Sequence, residues 1–205
     1  MSSYVVGLTG GIACGKSNLS RALRQAGVRV VDADEISRSL TAENGAALPA
    51  IRAVWGDQVF DGETLNRRAL SDRVFSDAGE MKKLNDLMHP MILAAVRKEL
   101  DAWDGPAVLE APLLFETGID QWCDEVWCAY VPQKEQVRRL RHREGVTRQE
   151  ALRRIRSQTP AREKAKRSRH VIRTDGTKQD SARIALTLWR SLFPDTESAE
   201  GEKTL

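Results

Sequence analysis

Short apolar runs alternate along this 205-residue chain with longer stretches in which apolar residues recur at helical spacing. Tyr4 to Thr9 is a short, β-branched-rich run that predicts a buried strand. Ser17 to Gln25 then places Leu19, Ala22 and Leu23 on one face, which predicts a helix, and Gly27 suits its stop. Val28 to Val31 predicts a second strand that runs into Asp32-Ala33-Asp34. From Glu35 to about Trp103 the pattern is mostly helical, with turn residues ahead of a helix in GDQVFDGETLNRRAL. A helix with a proline near its start follows in LNDLMHPMILAAVRKEL. Ala107 to Glu110, running on towards Pro112, predicts a third strand, and Glu125 to Val131, ended by Pro132, a fourth. Gln133 to Arg143 reads as a helix, Val146 to Lys166 as a helix-rich basic excursion, and His170 to Arg173 as a last short strand. Thr177 to Leu192 closes as an amphipathic helix through Ile184, Leu186, Leu188 and Leu192. The tail after Pro194 is polar and acidic and is expected to fray. Strands alternating with helices predict an α/β fold with a parallel sheet and right-handed crossovers, interrupted by two insertions.

Composition narrows this picture in two ways. With 41% hydrophobic residues the chain can bury one good α/β core, and no stretch approaches the ~20 consecutive apolar residues of a membrane span. Neither a secretory leader nor a membrane partner is expected. Cys14, Cys123 and Cys128 are odd in number and lack metal-ligand spacing, so a reduced, cytoplasmic setting is expected. The net charge of +3 conceals an asymmetry: Arg138 to Arg169 holds 13 Lys and Arg against Glu144, Glu150 and Glu163. Such a segment suits a nucleic-acid face, a solvated helical surface, or a cover that closes over a bound polyphosphate.

The stretch between the first strand and the first helix carries the most specific chemistry. Gly10-Gly11-Ile12-Ala13-Cys14-Gly15-Lys16-Ser17 matches glycine, four residues, glycine-lysine-serine, in the strand-to-helix context that this template requires. Gly10, Gly11 and Gly15 can take positive φ, so the loop can turn its backbone N–H groups towards one point. With the N-terminal dipole of the helix, these groups favour phosphate oxygens. Lys16, expected to face solvent in the loop, would contact the β- and γ-phosphates of ATP, and the Ser17 hydroxyl would ligate Mg2+. Cys14 stands where another small residue would serve.

Three classes use such a loop: small-molecule kinases, switch GTPases and ATPases acting on nucleic acid. No Asp-x-x-Gly spacing occurs anywhere in the chain, which excludes the switch, and Thr177-Lys178-Gln179-Asp180 reads as the start of a helix. An ATPase acting on nucleic acid through residues 138–169 stays open as the alternative, although 205 residues leave little room for its coupling motifs. The kinase reading uses more of the chain. Asp32, at the carboxyl edge of the sheet where ligands bind, suits a proton acceptor or a holder of Mg2+-bound water, while Asp34 better suits the N-cap of the next helix. Glu110 is either a carboxylate directed at Mg2+ or an ordinary strand end. Arg139 and Arg143, four apart, share a helix face where a lid would begin, and arginine forks neutralise charge during transfer; a solvated pair is the alternative.

As a set these residues resemble the dephospho-coenzyme A kinase family. LTGGIACGKSN at 8–18, VVDADEISR at 30–38, LNRRAL at 65–70, MHPMI at 88–92 and PLLFETG at 112–118 are similar to family segments in the same order. The resemblance implies a P-loop NTPase fold whose five-stranded parallel sheet is flanked by helices. The implied core spans 1–34, 105–135 and 168–194, with a helical insertion for the substrate at 35–104, a basic lid at 136–167 and a flexible tail at 195–205. It implies ATP-dependent phosphorylation of the ribose 3′-hydroxyl of dephospho-CoA, with no nucleic-acid partner. It assigns Asp32, Lys16, Arg139 and Arg143 to catalysis, Gly10 to Asn18 to the nucleotide, and Ser17 to Mg2+. His89, Leu114, Phe115 and Glu116 would lie near the substrate or support its pocket. Ala13 stands where glycine is common, and Asn18 replaces the usual threonine.

Overall fold

The computed structural model describes residues 2–194, and for residues 75, 76 and 78 the backbone alone; the tail expected at 195–205 lies outside them. Within this range the chain divides into two compact units, one of Ser2 with Val31–Gly105, the other of Ser3–Val30 with residues 106–194. Residues 136–167 fall in the second unit together with the sheet.

In the larger unit β1 (Val5–Gly10) is buried at every position, as a central parallel strand covered on both faces must be. The loop after it leads into α1 (Lys16–Gln25), which buries Leu19 and Leu23 and ends ahead of Gly27 at φ 78°. β2 (Arg29–Asp32) then carries the chain into the smaller unit. There the elements are α2 (Ala33–Leu40), α3 (Leu48–Trp55), a hairpin of β3 (Phe60–Asp61) with β4 (Thr64–Leu65), α4 (Arg67–Ser76) and α5 (Ala78–Asp101). Ile51, Trp55, Phe60, Leu65, Leu70 and Met88 form its core. Back in the larger unit come β5 (Ala107–Glu110), β6 (Glu125–Tyr130), α6 (Gln133–Glu144), α7 (Arg148–Arg156), α8 (Ala161–Arg167), β7 (His170–Arg173) and α9 (Lys178–Leu192).

The five-stranded parallel sheet has the order β2-β5-β1-β6-β7. Val6 pairs with Val108 on one side of β1, Gly7 with Val126 on the other, and Ala129 of β6 with Ile172 of β7. Leu8, Leu19, Leu23, Trp127 and Trp189 lie at the centre of the core. Chain order β1, β2, β5 with β1 in the middle leaves the β1–α1 turn at the carboxyl edge, where open α/β sheets bind ligands.

Three local expectations change. The turn ahead of LNRRAL is a short antiparallel hairpin, held by Arg52, which donates to Gly62 O at 2.8 Å and sits 4.3 Å over the Phe60 ring. Pro90 lies well inside α5 instead of near its start. On α9 Ser181, Ala185 and Trp189 are buried and Leu186, Leu188 and Leu192 pack partly buried against the same core, while Ile184 is exposed.

Candidate active site

The loop between β1 and α1 is held in shape from behind, by its carbonyls. Gln136 Nε2 donates to Ile12 O at 2.7 Å, Arg139 to Ala13 O at 3.4 Å, and Thr174 Oγ1 to Cys14 O at 2.6 Å. In a planar trans peptide the N–H points opposite the C=O, so these bonds turn the Ala13 and Gly15 N–H groups the other way. Backbone N–H groups so directed at the start of a helix can receive an anion.

Only Gly15 among the three loop glycines adopts positive φ, at 82°; the fourth loop position there is Ala13, at φ 60°. Gly10 and Gly11 are needed for a different reason from the one expected. A Cβ on Gly10 would stand 2.7 Å from Ala129 O, and one on Gly11 would stand 2.7 Å from Gln136 Nε2 and 3.3 Å from Ala161 Cβ. They are glycines because β6, α6 and α8 press against the loop. Cys14 contributes backbone alone: its side chain is fully buried in the core, and burial pushes its thiol pKa up. Burial likewise raises the thiols of Cys123 and Cys128 to about 12, so none of the three is a nucleophile at neutral pH. Asn18 uses its side chain to tie α1 to α9, donating to Lys178 O at 2.9 Å.

Lys16 does not face solvent. Its Nζ lies 2.6 Å from Glu110 Oε1, with side-chain exposures of 13% and 2%, because the carboxyl end of β5 is adjacent to β1. Glu110 Oε2 is buried and accepts no hydrogen bond from the described residues. A buried carboxylate oxygen without a donor is costly to fold.

The two candidate arginines part company. Arg139 donates to Thr174 O and Oγ1 and lies 3.5 Å from the Cβ position of Gly15, beside the loop. Glu135 steadies it at 2.8 Å, and the bonds from Arg138 and then Arg139 lower the Glu135 carboxyl to about 2. Arg143, one turn on, is exposed and paired with Glu144 at 2.5 Å, because the helix leaves the loop behind. Further along the basic segment Arg154 reaches Glu144 and Glu150, Arg153 reaches Glu150, and Lys166 reaches Glu163.

Leu114 and Phe115 are buried in the larger unit, where Leu114 packs behind Gly7. Glu116 is committed to Lys164 at 2.9 Å and to the Thr159 N–H at 2.8 Å. Its burial alone would raise its pKa; the Lys164 and Thr159 bonds outweigh this and lower it. In the smaller unit His89 lies on α5, half-buried. Asp32, and not Asp34, is the N-cap of α2: its Oδ1 accepts from Asp34 N at 2.8 Å and Glu35 N at 3.2 Å, while Asp34 is exposed. The helix begins one residue after the strand ends, too early for Asp34 to cap it.

Gln136, Thr174 and Lys164 carry functions at this site that the sequence pattern did not assign. A polar residue on the inward stripe of α6, between Leu140 and the loop, is the signal that marks Gln136.

The model of the family described as Dephospho-CoA kinase matches residues 4–180. A dephospho-CoA kinase of Geobacter sulfurreducens is 40% identical over 196 residues, covering 93% of this chain and 99% of its own. A solved Thermus thermophilus structure superposes with a TM-score of 0.79 at 32% identity, covering 94% of this chain and 99% of that one. The dephospho-CoA kinase of Campylobacter jejuni shares the fold, with a TM-score of 0.64 at 22% identity, over 92% of this chain and 96% of that one.

Proposed function

Because the chain belongs to the dephospho-CoA kinase family, we propose that it transfers the γ-phosphoryl group of ATP to the ribose 3′-hydroxyl of dephospho-CoA. The observation that carries this reading is the Lys16–Glu110 pair beside a loop whose carbonyls are tied back. Lys16 exchanges Glu110 for the β- and γ-phosphate oxygens when ATP enters, and its charge offsets the negative charge that develops on the transferring group. Arg139 contributes further positive charge beside Gly15. The donor set suits Mg2+: Glu110 Oε2 has no partner, Ser17 offers a hydroxyl at the start of α1, and both are hard oxygen donors. Held by Ser17 and Glu110, Mg2+ would supply positive charge against the phosphates during transfer. Asp32 accepts the proton of the attacking hydroxyl, and its cap of α2 fixes its rotamer.

The nucleic-acid alternative has no support. Five of the eleven arginines between 138 and 169 pair with Glu135, Glu144 or Glu150, which spends part of the charge such a face would need. We read α6 and α7 as the part of the basic segment that closes over the polyphosphate. An ATP-consumption assay with dephospho-CoA, a nucleoside monophosphate or single-stranded DNA as acceptor tests the function. Stimulation by dephospho-CoA, dependent on added Mg2+, is expected; stimulation by DNA alone would overturn it.

A further inference from the structure

We propose that Lys164 is a positioning residue of the phosphoryl transfer, acting through the Pro112 carbonyl and Glu116 to hold the segment after β5. Its side chain is wholly buried, and its Nζ donates to Pro112 O and pairs with Glu116 at 2.9 Å. A buried ammonium is costly to desolvate, and replacing such a pair as a whole by uncharged side chains of similar volume is often neutral or stabilising. Packing alone therefore does not account for a lysine here, whereas fixing a geometry does.

The geometry it fixes is the carboxyl edge next to the loop. Pro112 follows Glu110 by two residues, and its carbonyl is also approached by Thr9 Oγ1 at 3.5 Å, just ahead of the loop. Between them Ala111 N donates to Leu8 O at 3.0 Å. Lys164 thus anchors the short span from which Glu110 presents its carboxylate to Lys16. The same helix touches the loop directly, through Ala161 at the Gly11 Cβ position. It also grips the segment again where Arg167 lies 4.0 Å over Phe115 and 3.2 Å from Asp120. Glu116, held by Lys164, fixes the turn before α8 by accepting from Thr159 N. Helix α8 is consequently a strut of the nucleotide body, and Glu116 serves that strut instead of the substrate.

The inference rests on the kinase reading, and wild-type turnover of dephospho-CoA tests that reading separately. Lys164→Met, Glu116→Gln and the double variant are compared for melting midpoint, kcat and KM, with turnover scored per folded molecule well below the midpoint. We expect Lys164→Met to lower kcat about 10- to 100-fold with KM for ATP within about threefold, as misplacement of a reacting group does. The double variant removes both charges and should recover the melting midpoint while kcat stays low. Hydrogen exchange of residues 111–118 should rise at least about tenfold in Lys164→Met, a readout independent of turnover. Recovery of kcat together with stability in the double variant would overturn the proposal, as would unchanged exchange or a Lys164→Met kcat within about twofold of wild type. Loss of the fold in all three variants would make the role structural and overturn it equally.

Discussion

Two lysine–glutamate pairs, each with one wholly buried member, Glu110 in one and Lys164 in the other, flank the carboxyl edge of the sheet, and they differ in what is left over. Lys16 and Glu110 meet at 2.6 Å, yet Glu110 Oε2 accepts nothing. Lys164 and Glu116 meet at 2.9 Å, and there the surplus capacity is used: Lys164 also donates to Pro112 O, and Glu116 also accepts from Thr159 N. One pair is open to exchange partners and the other is closed. Salt-bridge distance alone would rank them alike; the accounting of lone pairs and N–H groups separates a pair with a spare acceptor from a clasp.

The largest expected effect breaks the open pair. Lys16→Met should lower kcat by about three to five orders of magnitude, since no other side chain brings a positive charge to the transferring phosphoryl group from within the loop. It also leaves Glu110 buried without its cation, so the melting midpoint should fall, and adding Glu110→Gln should recover stability without turnover. Lysine ammonium NMR gives the direct contrast. ATP with Mg2+ should shift the Lys16 signal and leave the Lys164 signal unchanged; movement of both would erase the distinction between the pairs.

Next in size is Asp32→Asn, expected to lower kcat by about two to four orders, towards the lower end because proton removal comes late in a loose transition state. Asparagine caps a helix about as well as aspartate, so α2 should persist and far-ultraviolet circular dichroism should not change. Asp34→Asn, at an exposed position outside the cap, should stay within about twofold of wild type. The reverse outcome would exchange their roles.

How much of this was legible beforehand depends on the range of the interaction that fixes each residue. The strand, loop and helix around Lys16 and Ser17 were legible because one local spacing specifies them, and His170–Arg173 was bounded correctly around its β-branched Val171 and Ile172. The reason for Gly10 and Gly11 was not, because it lies in Ala129, Gln136 and Ala161, far along the chain. Lys164 read as one more charge in a basic segment, since burial against Pro112 and Glu116 leaves no periodic trace. Arg143 illustrates the converse: four-residue spacing puts two arginines on one face but says nothing of how soon a helix departs from the loop. The Asp32 cap was missed by one residue, within the ordinary uncertainty of helix ends.

A smaller effect sharpens the closed pair. The Glu116 carboxyl sits below its ordinary value, so its stabilisation is complete above the unfolded carboxylate pKa, about 4.3, and is lost as pH falls through the depressed folded value. The melting difference between wild type and Glu116→Gln should therefore shrink as pH is lowered from about 7 to about 3. A constant difference across that range would mean that the clasp does not titrate.

The smallest effect concerns the loop itself. Ala13 stands at φ 60°, a left-handed conformation that costs an L-residue roughly 1–2 kcal/mol relative to glycine. Ala13→Gly relieves that strain but gives the unfolded chain more freedom, worth about 0.4–1 kcal/mol in the opposite sense. The net is a stabilisation of about 0.5 kcal/mol, which for a chain of this size raises the melting midpoint by about 1–2 °C. Turnover should stay within about twofold, because the Ile12 and Cys14 carbonyls remain anchored by Gln136 and Thr174 and keep the loop in shape. A fall in kcat larger than tenfold with unchanged stability would show that the stiffness of Ala13, and not those anchors, keeps the open pair ready for phosphate.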